Sequence, residues 1–181
     1  APAVEEREVE RGGARAIPCL DRGLSHAQAE ASGTVGVLYH EYKKLGLHNW
    51  IDMKQEDLTL EGMRDGVRAS SVFLLVLTST ILKSWFCRQE MLCALDEGKK
   101  IQLIVEEDPR HDPWDAEGWR AKATASEVPE RICAMVETHL PQAVTFRRRD
   151  FEQEAMMREL CRRNGVVLPS VPRAVWPADR P

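Results

Sequence analysis

Two apolar runs stand out along the chain, Val72-Phe73-Leu74-Leu75-Val76-Leu77 and Ile101-Gln102-Leu103-Ile104-Val105. Neither shows the every-second-residue alternation of a strand with one wet face, so both are predicted as central strands covered on both sides. The stretch between them, roughly Ser84 to Glu97, reads as a helix that returns through Gly98-Lys99-Lys100. Two buried strands joined by a helix make a βαβ unit, whose crossover is right-handed.

The pattern continues on either side. Ala16-Ile17-Pro18-Cys19-Leu20 is predicted as a short first strand, although Pro18 has no donor for a ladder. From about His26 to Leu45, apolar residues at Val35, Leu38, Tyr39, Tyr42 and Leu45 form one helical stripe, ended by Gly46. Leu47 to Met53 reads as a second strand ending at Asp52, and Leu60, Met63 and Val67 mark another amphipathic helix. Beyond the second apolar run, Glu106 to Ser126 reads as a long surface loop with irregular helix, packed down by Trp114 and Trp119. A helix over 127–139, a fifth strand at Ala143 to Phe146 and a last helix from Phe151 to Arg163 complete the order. Residues 1–14 are expected to be a flexible leader, 15–165 the domain and 166–181, with four prolines, a tail.

Strand and helix alternate throughout, which predicts an α/β fold: a flavodoxin-like, doubly wound, five-stranded parallel sheet with helices on both faces. Ligands of such sheets bind outside the carboxyl ends of the strands, here the loops after Leu20, Asp52 and Thr78.

Composition narrows the chemistry. With 43% hydrophobic and 30% charged residues in 181, the chain is an ordinary globular domain. Its net charge of −4 offers no basic field for a nucleic-acid backbone. No apolar stretch is long enough for a bilayer, and Ala1 to Glu10 is charged where a secretory signal needs apolar residues, so a cytoplasmic location is expected. The start at Ala1 fits either a piece of something longer or a processed terminus. The five cysteines never form a Cys-x-x-Cys pair and no two of the five histidines lie four apart, so neither a disulfide framework nor a metal site is expected. Glycine fingerprints for phosphates are absent.

Just past the first apolar run, Ser84-Trp85-Phe86-Cys87-Arg88-Gln89-Glu90 resembles the signature of the TIR (Toll/interleukin-1 receptor) family, in which a serine, an aromatic, a cysteine and a glutamate open the third helix. Gly46 to Asp52 resembles the family's second strand, Ser70-Ser71 with the Val72 to Thr78 run its third, and Gly98-Lys99-Lys100-Ile101 its fourth. The similarity covers about residues 15 to 164. Ile17-Pro18-Cys19-Leu20-Asp21-Arg22 departs from the aromatic-aliphatic-Ser-Tyr/His ending usual in the family's first strand.

The resemblance implies one of two functions. Some members cleave the nicotinamide–ribose bond of NAD, yielding nicotinamide and ADP-ribose or a cyclic product, with a glutamate at the position of Glu90. Others are non-catalytic adaptors of immune or cell-death signalling that assemble through TIR–TIR contacts. NAD is then a substrate, and no separate cofactor is implied. Departure of nicotinamide neutralises its own ring, so no acid is needed, but the ribosyl group becomes oxocarbenium-like and calls for a nearby negative charge. Glu90, expected on the first turn of its helix and facing an open crevice, would supply it. By the same analogy Trp50 and Phe86 would offer apolar surface, Asp52 a ribose hydrogen bond, and Arg22 a fork for phosphate.

Plainer readings stand beside these. A first-turn glutamate is favoured by the helix dipole whatever it does; it is the surrounding signature that points Glu90 to chemistry. Trp50, Phe86 and Cys87 taken singly read as core, and Arg22 as solvated. Arg147-Arg148-Arg149 could meet an anionic surface, but a turn with local acidic partners fits it better. A phosphoacceptor receiver is excluded because the third strand ends in Leu77-Thr78, without its aspartate; a nucleoside deoxyribosyltransferase shares both topology and glutamate.

Overall fold

The computed structural model describes residues 22–25, 32–47, 49–50 and 59–168. Its sheet is parallel, in the order β2-β1-β3-β4-β5: β1 (Arg22–Ser25), β2 (Asn49–Trp50), β3 (Val72–Leu77), β4 (Lys100–Val105) and β5 (Val144–Thr145). β1, β3 and β4 form its body, while the two edge strands are only two residues long. The helices are α1 (Ser32–Lys44), α2 (Leu60–Ala69), α3 (Trp85–Asp96), α4 (Trp119–Ala125), α5 (Glu130–His139) and α6 (Asp150–Arg163).

The unbroken apolar run of β3 is explained by two separate cores. Val72, Leu74 and Val76 pack with Val35, Leu38 and Tyr42 of α1 and with Met156, Met157 and Leu160 of α6. Phe73, Leu75 and Leu77 point the other way, toward Met63 and Val67 of α2, Cys87 and Met91 of α3, and Ile132 and Val136 of α5. Successive strand residues alternate between faces, so a strand covered on both sides must be apolar at every position. Each such side chain, when fully buried, stabilises the fold by about 1.5–3 kcal/mol.

The first strand expected at Ala16 to Leu20 lies outside the described residues; the described β1 is Arg22–Ser25. Arg22 pairs with Val72 and Gly23 with Phe73, giving β1 a ladder with the central strand. The Glu106 to Ser126 stretch also holds more regular structure than expected. It contains a 3₁₀ turn (Pro109–His111) and the two-turn helix α4, and Trp114 and Trp119 do pack it down, nearly buried with ring centroids 5.6 Å apart. At the carboxyl edge this loop is tied to the one after β3, because Ser79 Oγ donates to Asp112 Oδ1 at 2.7 Å and the Ser79 amide to the Asp112 carbonyl at 3.2 Å.

Candidate functional site

α3 carries the signature residues, and its start is set by Ser84. The Ser84 hydroxyl accepts from the Cys87 amide at 3.3 Å, which satisfies one of the donors left over at a helix N-terminus. Ser84→Ala is therefore expected to lower stability by about 1 kcal/mol in urea unfolding. An unchanged midpoint would mean that packing alone holds this helix start.

With the helix beginning at Trp85, Glu90 is its sixth residue and lies in the second turn; the first turn holds no acidic residue. This corrects the expected first-turn position and removes the dipole as the plain reason for a glutamate here, since that effect fades beyond the first turn. Glu90 instead belongs to the stripe Cys87, Glu90, Met91 and Ala94, spaced three, four and seven residues apart and turned toward the core. Its relative exposure is 1%. The expected open crevice is thus not present in this conformation, where the carboxyl group is enclosed on the α3 side of the sheet. Spacing already held the reason, because a residue between Cys87 and Met91 on that stripe must turn inward.

Three of the other expected site residues fall on described elements. Phe86 is half-buried against the α2–α3–α5 core and its ring centroid lies 6.5 Å from that of Trp85, which is 56% exposed. Arg22 opens β1 and pairs with the first residue of β3, so its backbone stands at the amino edge of the sheet, away from the carboxyl ends where a phosphate would sit. Trp50 closes β2 beside Gly23. Asp52 lies outside the described residues.

A second buried carboxylate was missed. Glu106, one residue past β4 and 1% exposed, accepts two hydrogen bonds from the Arg148 guanidinium, at 2.9 and 2.6 Å, one from the Asp108 amide at 2.9 Å and one from the Thr34 hydroxyl at 3.0 Å. Arg148 also donates to Thr34 Oγ1 at 3.1 Å and lies 4.8 Å above the Phe146 ring. Burial, the strongest single influence, pushes the Glu106 pKa up, but the bonds from Arg148, Asp108 and Thr34 together hold it below the ordinary carboxylate value. The network fastens the start of α1 and the loop after β5 to the end of β4. Of the three consecutive arginines, the middle one is thus bound to a distant, buried carboxylate and not to the local acidic partners of a solvated turn.

Other chemistry is sparse. Burial pushes the Cys93 and Cys133 thiols up, away from the thiolate form a nucleophile needs. Among the described residues no group of three or more His, Cys, Asp or Glu side chains is placed to hold a metal, and no helix is long and apolar enough to cross a membrane.

Against this geometry stand the comparisons with known proteins. The TIR domains of the activated Roq1 resistosome directly recognising the pathogen effector XopQ superpose with a TM-score of 0.57 at 15% identity, covering 80% of this chain and 99% of theirs. The TIR domain of the Toll-related receptor TRR-2 from Hydra magnipapillata gives 0.53 at 14% identity, covering 78% of this chain and 95% of its own. The RPS4 and RRS1 TIR domain heterodimer gives 0.50 at 12%, covering 79% and 94%. Such low identities speak for the fold alone. No curated protein matches the sequence. The family model for the TIR domain matches residues 24–161, well over half of the chain, and the chain belongs to the TIR domain family.

Proposed function

We propose that this domain cleaves the nicotinamide–ribose bond of NAD, with Glu90 as the carboxylate that stabilises the departing sugar cation. What supports the reading is the placing of a carboxylate in the core-facing stripe of α3, between Cys87 and Met91, inside the family's signature. Packing does not call for a glutamate there, since burying an ionisable group is costly, and such groups concentrate where chemistry is done. In the reaction the bond electrons leave with nicotinamide and neutralise its ring. Glu90 faces the positive ribosyl carbon and accepts from ribose hydroxyls, and water then adds at that carbon and loses a proton to give ADP-ribose. Attack by a group of the same molecule would give a cyclic product instead. The full fold reading, a flavodoxin-like sheet of five strands wound on both faces, suits this use of a helix beside the central strand. In this reading Phe86, half-buried on the same helix, lines the site. A cytoplasmic place in immune or cell-death signalling belongs to the same proposal.

Because Glu90 is enclosed, turnover requires a conformation that uncovers it, and self-association is the natural trigger in a family that works by TIR–TIR contact. Incubating the purified chain with NAD over a wide range of protein concentration, and measuring free nicotinamide, tests this. Release that rises more steeply than protein concentration is expected; none at the highest concentration would defeat the enzymatic reading. The enclosure of Glu90 favours a second reading, a non-catalytic module that signals only by assembling with other TIR domains. That reading predicts concentration-dependent association without any nicotinamide.

A further inference from the structure

The amino edge of the sheet, opposite the carboxyl ends, carries a cleft of ≈ 590 Å³ whose lining includes Lys99, Lys100, His139, Arg162 and Arg163 and no carboxylate. Two of these cations serve the fold. Lys99 Nζ donates to the Arg68 carbonyl in the last turn of α2, and Lys100 Nζ to the Arg163 carbonyl at the end of α6, each at 2.5 Å. Carbonyls at helix C-termini attract such ammonium groups but carry no full charge to cancel them. Arg162 and Arg163 share one carboxylate, Glu159, at 2.8 and 2.6 Å. Four permanent cations against one acid leave a strongly positive patch on a chain whose net charge is −4.

The sheet register shows what lies near it. Arg22 is level with Val72, and Val72 with Lys100, so the chain enters β1 at the same edge as the cleft and two strands away from Lys100. At the usual strand spacing that is about 10 Å. The residues leading into β1 include Glu5-Glu6-Arg7-Glu8-Val9-Glu10, four glutamates against one arginine and the densest run of acid in the chain. Glu10 stands twelve residues before Arg22, a length of chain that can span up to about 40 Å.

We propose that residues 5–10 dock in this cleft, so that the basic patch is a seat for the chain's own acidic leader. Charge complementarity and a shared edge carry the assignment. It is independent of NAD turnover, because the cleft and Glu90 belong to different parts of the fold. The contact is electrostatic and partly exposed, so it weakens as salt shortens the screening length from about 10 Å at 0.1 M to about 3 Å at 1 M.

A carbodiimide that joins a carboxylate directly to a lysine amine tests the docking on the full chain, with the linked peptides read by mass spectrometry. At low salt, links from Glu5, Glu6, Glu8 or Glu10 are expected at Lys99 and Lys100 several-fold more often than at the control lysines Lys43, Lys44, Lys83 and Lys122. Their yield should not depend on protein concentration and should fall several-fold at 1 M salt. Arg162→Glu, at a side chain 72% exposed, should cut the links several-fold while the circular dichroism spectrum is retained. An Arg158→Glu variant, away from the cleft, should leave them unchanged. Links spread evenly over all lysines, or absent from Lys99 and Lys100, would overturn the proposal. Links whose yield climbs with protein concentration would also overturn it, by making the occupant the leader of a second copy.

Discussion

Replacing Glu90 by glutamine is expected to cut nicotinamide release by at least about a hundredfold while the domain still folds. The activity loss follows from the role proposed for the carboxylate. Removing one preorganised group that faces charge developing in a transition state commonly costs about 10²–10³ in rate. The fold is expected to survive because Glu90 is 1% exposed and glutamine keeps its shape, leaving no cavity. Alanine would be a poorer probe, because a cavity beside Cys87 and Met91 would itself destabilise α3 and confound a rate with a folding defect. Rates and urea midpoints should therefore be measured on the same preparations. A Glu90→Gln domain that still releases nicotinamide at the wild-type rate would remove Glu90 from the chemistry. A domain that unfolds markedly more easily would instead show that the charged form holds the structure together, which fits the non-catalytic module better.

How far the sequence could be read depended on whether a feature was local. β3 and β4 were legible because strands buried on both faces are continuous apolar runs, and α2, α3, α5 and α6 were found within a few residues from their stripes. The strand Arg22–Ser25 was not legible because it owes its pairing to β3, some fifty residues later, and shows no apolar run of its own. α4 is only seven residues long and depends on Trp119 and Ala123 packing inward, so its loop-like composition concealed it. The enclosure of Glu90 was half legible: the stripe with Cys87, Met91 and Ala94 gave its direction, but whether that direction ends in a crevice or in the interior is decided by other elements. Glu106 and Arg148 are separated by 42 residues and meet only because β4 and β5 are neighbours. Neither looks unusual until the sheet order is known.

That pair supports the second large effect. Arg148→Met is expected to lower stability at neutral pH by roughly 2–4 kcal/mol, below the 3–5 kcal/mol of a fully buried pair because the guanidinium is 28% exposed. Methionine keeps apolar contact with the Phe146 ring, so the loss is mainly that of the charge. In the wild type the Glu106 pKa is held below its unfolded value of about 4.3. Its contribution is therefore complete above that value and disappears as pH falls through the lower, folded one. Without Arg148, burial is opposed only by the bonds from Thr34 and the Asp108 amide, and the folded-state pKa is expected to rise above the unfolded one. The folded variant then binds the proton more readily than the unfolded chain, so it gains stability as pH falls from 7 toward 5, over a range where this pair leaves the wild type unchanged. Urea unfolding at the two pH values should show the gap between the proteins narrowing. Adding Glu106→Gln to Arg148→Met should recover much of the loss at pH 7, because an amide can still accept from Thr34 and Asp108 without leaving a charge buried. A deficit that is equal at pH 7 and pH 5 and unmoved by the second substitution would mean that Arg148 stabilises the loop through its stacking and not through the carboxylate beneath it.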